Sequence, residues 1–356
     1  MRAARALNAD PRPGRVLIVD DSAVARAVLA RLIDAAPTLE VAGAVPTAGA
    51  ALAFLAGTTV DLIVLDIQMP GVDGLTALPD LLVAGGDARV LIVSSAAGEG
   101  AASSIQALAL GAADTLVKPA PGERAQRFET GLIEKLERLM NPVVPPALPG
   151  AVLDPAVPVA LAGAPDAYDI VAIGASTGGI HALSQLLRAL PADMTLPVLV
   201  TQHLPASFMP YFAAQLAVLA GRPCEVASDR LRIRPGRVIV APGDAHLRCV
   251  RLADGTAAVR LSTESSSSGC LPSVDPMFES VADCFGARAL GVVLSGMGRD
   301  GAEGAKRLAA AGACVLAQDR GTSVVWGMPG AVAELADAVL EPHAIGRLIA
   351  SRRRPL

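Results

Sequence analysis

Aromatic side chains are scarce in this chain: 3% of its 356 residues, with one tryptophan, two tyrosines and six phenylalanines. That scarcity argues against base-stacking platforms for single-stranded nucleic acid and against aromatic-rich β-sandwiches. A basic surplus is missing too. Lys and Arg number 30 against 34 Asp and Glu, a net charge of −4, whereas a phosphate-backbone binder carries excess positive charge. No nucleic acid partner is expected. Long apolar runs are absent as well: the charge-free stretch from Met194 to Gly221 is broken by Pro197, Pro205 and Pro210 and contains Gln202-His203, so no direct membrane insertion is expected. Arg2 and Arg5 are followed by Asp10, Pro11 and Pro13 before any apolar run of signal-peptide length, which predicts a cytoplasmic protein. The five cysteines, Cys224, Cys249, Cys270, Cys284 and Cys314, show no C-x-x-C spacing. Neither a disulfide framework nor a zinc motif is indicated, and they read as buried free thiols.

Hydrophobic residues make up 52% of the chain, dominated by Ala, Val, Leu and Gly, in a length sufficient for two domains with separate cores. From Arg15 to about Met140, strand-length apolar runs (Val16–Val19, Val41–Val45, Asp61–Leu65, Val90–Val93, Thr115–Val117) alternate with helix-like segments near Ala23–Ala35, Ala48–Ala56, Ala101–Leu110 and Glu123–Met140. Strands apolar on both faces belong in a parallel sheet covered by helices. Residues 141–167 turn to Pro, Ala, Val and Gly with almost no charge, the composition of a linker. A second alternation follows over 168–356, including an expected hairpin in Val238–Leu261. The expected division is thus 14–140, a 141–167 linker, and 168–356.

The first alternation places Asp20 and Asp21 after its first strand, Asp66 at its third, Ser94 at its fourth and Lys118 at its fifth. The carboxyl ends of parallel strands share one edge, so these groups can meet. Carboxylate oxygens suit Mg²⁺, and a lysine with a hydroxyl can hold the oxygens of a phosphoryl group. With Lys118-Pro119 and the turn Met69-Pro70-Gly71-Val72-Asp73-Gly74, this region resembles the response-regulator receiver domain over its whole length. The resemblance implies a flavodoxin-like five-stranded parallel sheet, phosphorylation of Asp66 by a partner sensor histidine kinase, metal binding by Asp20, Asp21 and Asp66, and phosphate contacts from Ser94 and Lys118.

In the second alternation, the strand Asp169–Ile173 runs into the glycine turn Gly174-Ala175-Ser176-Thr177-Gly178-Gly179. Such a turn exposes a hydroxyl and aims helix-opening amides at whatever sits above it. Serine needs a base and an orienting acid. Of the four histidines, His181 lies a turn after Ser176, His246 follows a Pro-Gly turn, His343 begins a terminal helix, and His203 ends the strand Pro197–Gln202 on the edge that holds Ser176. His203 is the best placed. Asp300 follows the strand Leu290–Ser295 at the same edge, in the loop Gly296-Met297-Gly298-Arg299-Asp300-Gly301, with helix capping as its plainer role.

GASTGG, QHLP (202–205), APGDAHL (241–247), PSVDPMFES (272–280), GMGRDG (296–301) and VVWGMPG (324–330) together resemble the chemotaxis protein-glutamate methylesterase family, CheB. With the receiver, this likeness covers nearly the whole chain. It implies a doubly wound, mostly parallel α/β catalytic domain in which Ser176 is the nucleophile, His203 the general base and acid, and Asp300 its orienter. The amides of Thr177 and Met297 form the oxyanion hole, and no cofactor serves the esterase chemistry. Expected substrates are γ-glutamyl methyl esters on methylated chemoreceptor helices and selected receptor glutamines. The tethered receiver is expected to cover the serine site until charge on Asp66 loosens the packing. The chain departs from the family pattern where Cys270-Leu271 precedes Pro272, a place for a basic residue.

Other readings compete. An α/β-hydrolase also matches Gly174-x-Ser176-x-Gly178, but places several strands before the elbow and its histidine last. A dinucleotide-binding module wants an acid ending the second strand and a Tyr-x-x-x-Lys pair, whereas Gln202-His203 ends that strand and Gln215 stands four residues after Tyr211. A receiver-controlled scaffold without catalysis would have no use for Ser176, His203 and Asp300 together.

Overall fold

The structure is a computed structural model that describes residues 12–94, 99–119, 125–140, 161–162 and 167–355. Two compact units form, each built on its own parallel sheet.

In the first unit the strands are β1 (Gly14–Val19), β2 (Leu39–Val45), β3 (Leu62–Asp66), β4 (Arg89–Ser94) and β5 (Asp114–Val117), in the order β2-β1-β3-β4-β5 with every pairing parallel. Val16 to Val19 and Leu62 to Leu65 are at most 1% exposed, which is why these strands carry no alternation of polar residues. The helices that alternate with these strands along the chain are α1 (Ala23–Asp34), α2 (Ala48–Leu55), α3 (Gly74–Gly85), α4 (Glu99–Leu110) and α5 (Ala125–Met140). The apolar rhythm left α3 unmarked because Pro79 lies inside it. Its start is nonetheless written locally: the Asp73 carboxylate accepts from the Thr76 amide at 2.7 Å, an N-cap. The sheet order reverses at β1 and β3, so the crevice above their carboxyl ends is the expected ligand position in such a sheet.

The second unit centres on a seven-stranded sheet. Its strands are β7 (Ile170–Ala175), β8 (Val198–Gln202), β9 (Cys224–Val226), β10 (Val238–Val240), β13 (Ala289–Val293), β14 (Cys314–Gln318) and β15 (Ala338–Leu340). They lie in the order β15-β14-β13-β7-β8-β10-β9, all parallel. The hairpin expected over Val238–Leu261 begins later. Val238–Val240 joins the main sheet because all three residues are fully buried, and only β11 (His246–Arg251) with β12 (Ala257–Ser262) forms the antiparallel pair.

Helices α6 (Gly179–Arg188), α7 (Met209–Ala220), α8 (Val274–Phe285), α9 (Ala302–Ala310), α10 (Gly327–Val332) and α11 (Pro342–Ser351) complete this unit. Helix α8 sinks Val274, Met277, Phe278 and Val281 into the core with Ile170, Leu199, Val293 and Leu308. Truncating a buried phenylalanine such as Phe278 typically costs about 3–5 kcal/mol. That anchoring matters because the N-terminus of α8 meets Asp300, to which the Val274 amide donates.

The linker reading falls mostly outside the described residues, but its Leu161–Ala162 forms a short strand, β6, antiparallel to β16 (Arg354–Pro355). Beside this pair, Arg352 donates to the Tyr168 carbonyl at 3.0 Å and Arg354 to the Ala287 carbonyl. Tyr168, fully buried, donates its hydroxyl to the Arg353 carbonyl at 3.1 Å. Among the described residues no helix is long and apolar enough to cross a membrane.

Candidate active site

Strand β7 is where the second sheet changes direction, with β13 on one side and β8 on the other. Ser176 follows the last residue of β7, His203 the last of β8, and Asp300 the loop after β13. Ala175 and Gln202 are register partners, the His203 amide donates to the Ala175 carbonyl at 3.1 Å, and the Gln202 side chain donates to the Ser176 carbonyl at 2.9 Å. From the other side the Ser176 amide donates to the Ser295 carbonyl at 3.0 Å. The elbow is therefore tied to both neighbouring strands.

Two glycines make this turn possible. Gly178, at the N-cap of α6, has φ +75°, in the left-handed region. A Cβ on Gly296 would stand 2.8 Å from the Ser176 Cβ and 2.3 Å from the Met328 sulfur, so only glycine lets the β13 loop close on the serine.

Nε2 of His203 lies 2.7 Å from Asp300 Oδ2. The His203 side chain is 19% exposed and that of Asp300 1%, so the imidazole reaches solvent while the acid does not. Asp300 is fully engaged: Oδ1 accepts from the Ser273 hydroxyl at 2.6 Å and the Gly301 amide at 3.1 Å, and Oδ2 also accepts from the Val274 amide at 2.8 Å. Val274 opens α8, so the carboxylate sits at a helix N-terminus that favours its charge. Burial alone would raise Asp300, but the hydrogen bond and charge of His203, then Ser273 and Val274, hold it well below the usual carboxylate range. Burial alone would lower His203, yet its hydrogen bond to Asp300 and the nearness of Cys270, with their charges, raise it to about 9.

The remaining histidines do other work. His246, 2% exposed, places Nε2 2.7 Å from the Glu264 carbonyl and accepts the Ser273 amide on Nδ1 at 2.9 Å. It is a buried support for the segment that holds Asp300. His343 is exposed beside Arg347, and His181 lies on α6 with Gln185 at 2.9 Å.

Sequence reasoning missed the roles of Ser273 and Cys270. Ser273 occupies the N-cap position of α8, but its hydroxyl goes to Asp300 instead of its own helix. The Cys270 sulfur lies within 4.8 Å of a His203 ring nitrogen, and the nearness of His203 lowers the thiol's pKa against the effect of burial. Beside it a cleft of about 340 Å³, lined by Cys270, Asp275, Met297, Arg299, Asp300 and Glu303 among others, opens to solvent.

In the first unit, Lys118 Nζ lies 2.6 Å from Asp66 Oδ2 and 3.2 Å from Asp20 Oδ2. Asp20, Asp21 and Asp66 each offer an oxygen within 4.8 Å of the others, an all-oxygen donor set that fits a hard divalent ion such as Mg²⁺. Ser94, fully buried, ends the adjacent strand. Burial raises the pKa of Asp66 against the lowering effect of Lys118.

The family model for the CheB methylesterase matches residues 171–349, half of the chain, and that for the response regulator receiver domain matches 16–127. The chain belongs to the CheB methylesterase family. A family member from Caulobacter vibrioides, protein-glutamate methylesterase/protein-glutamine glutaminase 2, is 42% identical over 96% of this chain and 99% of its own length. A protein-glutamate methylesterase/protein-glutamine glutaminase from Maricaulis maris is 38% identical over 96% of each chain. The crystal structure of the Thermotoga maritima CheB methylesterase catalytic domain is similar at TM-score 0.50 and 34% identity, covering 51% of this chain and 97% of that one. The family assignment favours the methylesterase reading over the α/β-hydrolase and dinucleotide-binding readings of the same glycine turn.

Proposed function

We propose that the chain is a phosphorylation-activated protein-glutamate methylesterase that hydrolyses γ-glutamyl methyl esters on the cytoplasmic helices of chemoreceptors and deamidates selected glutamines there. The observation that carries this reading is the hydrogen-bonded His203–Asp300 pair beside Ser176 on the switch-point edge of the sheet. Ser176 attacks the ester carbonyl and passes its proton to His203. Because Asp300 engages Nε2, the receiving atom is Nδ1, the ring nitrogen left over. The imidazolium that forms is stabilised by the buried Asp300 carboxylate, and returns its proton to the departing methoxide, releasing methanol. Water then repeats the sequence on the acyl-enzyme. The oxyanion is assigned to the amides of Thr177, in the turn that opens α6, and Met297, in the loop after β13.

In the receiver, proposed to span 14–140, Asp66 accepts a phosphoryl group from a sensor histidine kinase. Asp20, Asp21 and Asp66 would hold Mg²⁺, which when bound neutralises phosphoryl charge, and Lys118 and Ser94 hold the phosphoryl oxygens. The catalytic domain is proposed to span 168–356 and to need no cofactor.

The test is methanol release from methylated receptor membranes with and without a small phosphodonor. Wild type should release methanol and respond to the donor. Ser176→Ala should release none, and Asp66→Asn should retain the basal rate without stimulation. Absence of release by wild type under every condition would overturn the esterase reading, and undiminished stimulation of Asp66→Asn would overturn the assignment of the phosphorylation site.

A further inference from the structure

The reaction just described leaves one polar group of the site unused, the thiol of Cys270. It stands with His203 and Asp300 so that one ligand atom from each, sulfur, imidazole nitrogen and carboxylate oxygen, lies within 4.8 Å of the others. We propose that His203, Cys270 and Asp300 form a binding site for a thiophilic divalent cation, Zn²⁺, which displaces the proton shared by His203 and Asp300 and switches the serine site off.

The donor set points to zinc: thiolate, imidazole and carboxylate are its three protein ligand types, and a three-ligand site leaves a fourth position open. Tetrahedral bonds of about 2.0–2.3 Å put ligand atoms roughly 3.3–3.8 Å apart. The ligand atoms lie within 4.8 Å of one another, so any contraction needed is at most about 1–1.5 Å, and the His203–Asp300 distance of 2.7 Å must open by somewhat less than about 1 Å. Such shifts lie within small side-chain rotations. The carboxylate is already oriented by Ser273, Val274 and Gly301, the kind of outer support that metal-ligating carboxylates have. The cleft of about 340 Å³ lined by Cys270 and Asp300 has room for a water in the fourth position.

On binding, Cys270 coordinates as the thiolate, and its proton leaves to solvent together with the one held between His203 and Asp300. Starting from the imidazolium, Nε2 gives up its proton to solvent and its electron pair to the ion while Nδ1 keeps its own proton, so Nδ1 cannot accept one from Ser176. The receiver offers the opposite chemistry, since Asp20, Asp21 and Asp66 supply only hard oxygens. Two ions of different softness would thus sort between the two sites.

Metal binding stands apart from the esterase reading, and only the inhibition rests on it, so the test separates them. Reduced, metal-free full-length protein is titrated with Co²⁺ and followed by its sulfur-to-cobalt charge-transfer absorption. The expected result is a band that saturates at one equivalent, is bleached by Zn²⁺, and is absent from both Cys270→Ala and Cys270→Ser. Carboxylates in the receiver give no such band, and the other four cysteines remain as internal controls. Absence of the band from wild type, or its survival in both Cys270 variants, overturns the site. In the methanol-release assay, half-inhibition of Cys270→Ala should need at least about tenfold more Zn²⁺ than wild type, one tenfold step in affinity for a lost ligand. Equal sensitivity of the two proteins overturns the inhibitory role even where the absorption band is seen.

Discussion

Asp66 and Asp300 are both nearly inaccessible acids at the carboxyl edge of a parallel sheet, 4% and 2% exposed, yet their pKa values move in opposite directions. Burial opposes ionisation in both cases. What separates them is the number of donors. Asp66 has a lysine that it shares with Asp20 and a single amide, that of Gln68 at 3.2 Å. Asp300 has an imidazole, a hydroxyl and two amides, one of them at a helix N-terminus. An acid short of donors keeps lone pairs open, which is what the proposed metal and phosphoryl chemistry at Asp66 requires, whereas an acid rich in donors is held in one orientation for its partner. The same edge of the same kind of sheet therefore holds a sparsely bonded acid in one unit and a fully bonded one in the other.

The largest effect expected from breaking this comparison is on the serine side. Ser176→Ala should lower kcat by about 10⁶-fold, the size seen when a triad nucleophile is removed, measured as methanol release. Asp300→Asn should lower it by about 10⁴-fold, because the amide keeps the shape but not the charge that stabilises the imidazolium. If Asp300→Asn lost less than tenfold, Asp300 would be a helix cap and not an orienter.

A smaller effect, in stability, sharpens the contrast directly. The folded-state pKa of Asp66 lies above its unfolded value, so the charged form destabilises the fold at neutral pH and that penalty vanishes on protonation. Asp66→Asn should raise Tm at pH 7. The folded-state pKa of Asp300 lies below its unfolded value, so its contribution is present above the unfolded pKa and is lost as pH falls through the folded one. Asp300→Asn should destabilise by about 1–3 kcal/mol, leaving buried donors poorly matched. Thermal unfolding of both variants at pH 7 checks the pair, and shifts of the same sign would refute the donor argument.

These contrasts were partly legible in the sequence. The strand ends gave away Asp20, Asp66, Ser176, His203 and Asp300, because a run of buried apolar residues stops where the polar ones begin. Asp61 was placed in the third strand by the apolar pattern, but β3 begins at Leu62, and Asp61 instead accepts the Arg15 amide at 3.0 Å. The roles of Cys270, Ser273 and His246 were not legible, since they come from loops and a hairpin whose side chains meet the triad only after α8 docks on the sheet. Local spacing carries no record of such contacts. For the same reason the cysteines read as buried free thiols, whereas Cys224, Cys270 and Cys284 are only half-buried and the neighbours of Cys270 lie on other elements.

The smallest expected effect tests how far Cys270 belongs to the serine region. Lys118 in the receiver meets its acids as a charged partner, with its pKa raised by Asp66 and Asp20 against burial, whereas His203 must lose its proton to act. With His203 raised to about 9, kcat/KM should climb with pH through the neutral range and level off near that value, as the free enzyme passes to the neutral imidazole. Stability runs the other way: the charged His203–Asp300 pair stabilises the fold fully below the unfolded histidine value and loses that contribution as pH rises through about 9. Cys270→Ala removes one of the two neighbours that hold the proton on His203 and leaves Asp300 in place. Its activity limb should therefore move to lower pH, by less than in Asp300→Asn, where the stronger partner is lost. An unmoved limb in Cys270→Ala would detach the thiol from the triad, and would leave the single saturated acid as the whole of what tunes the base.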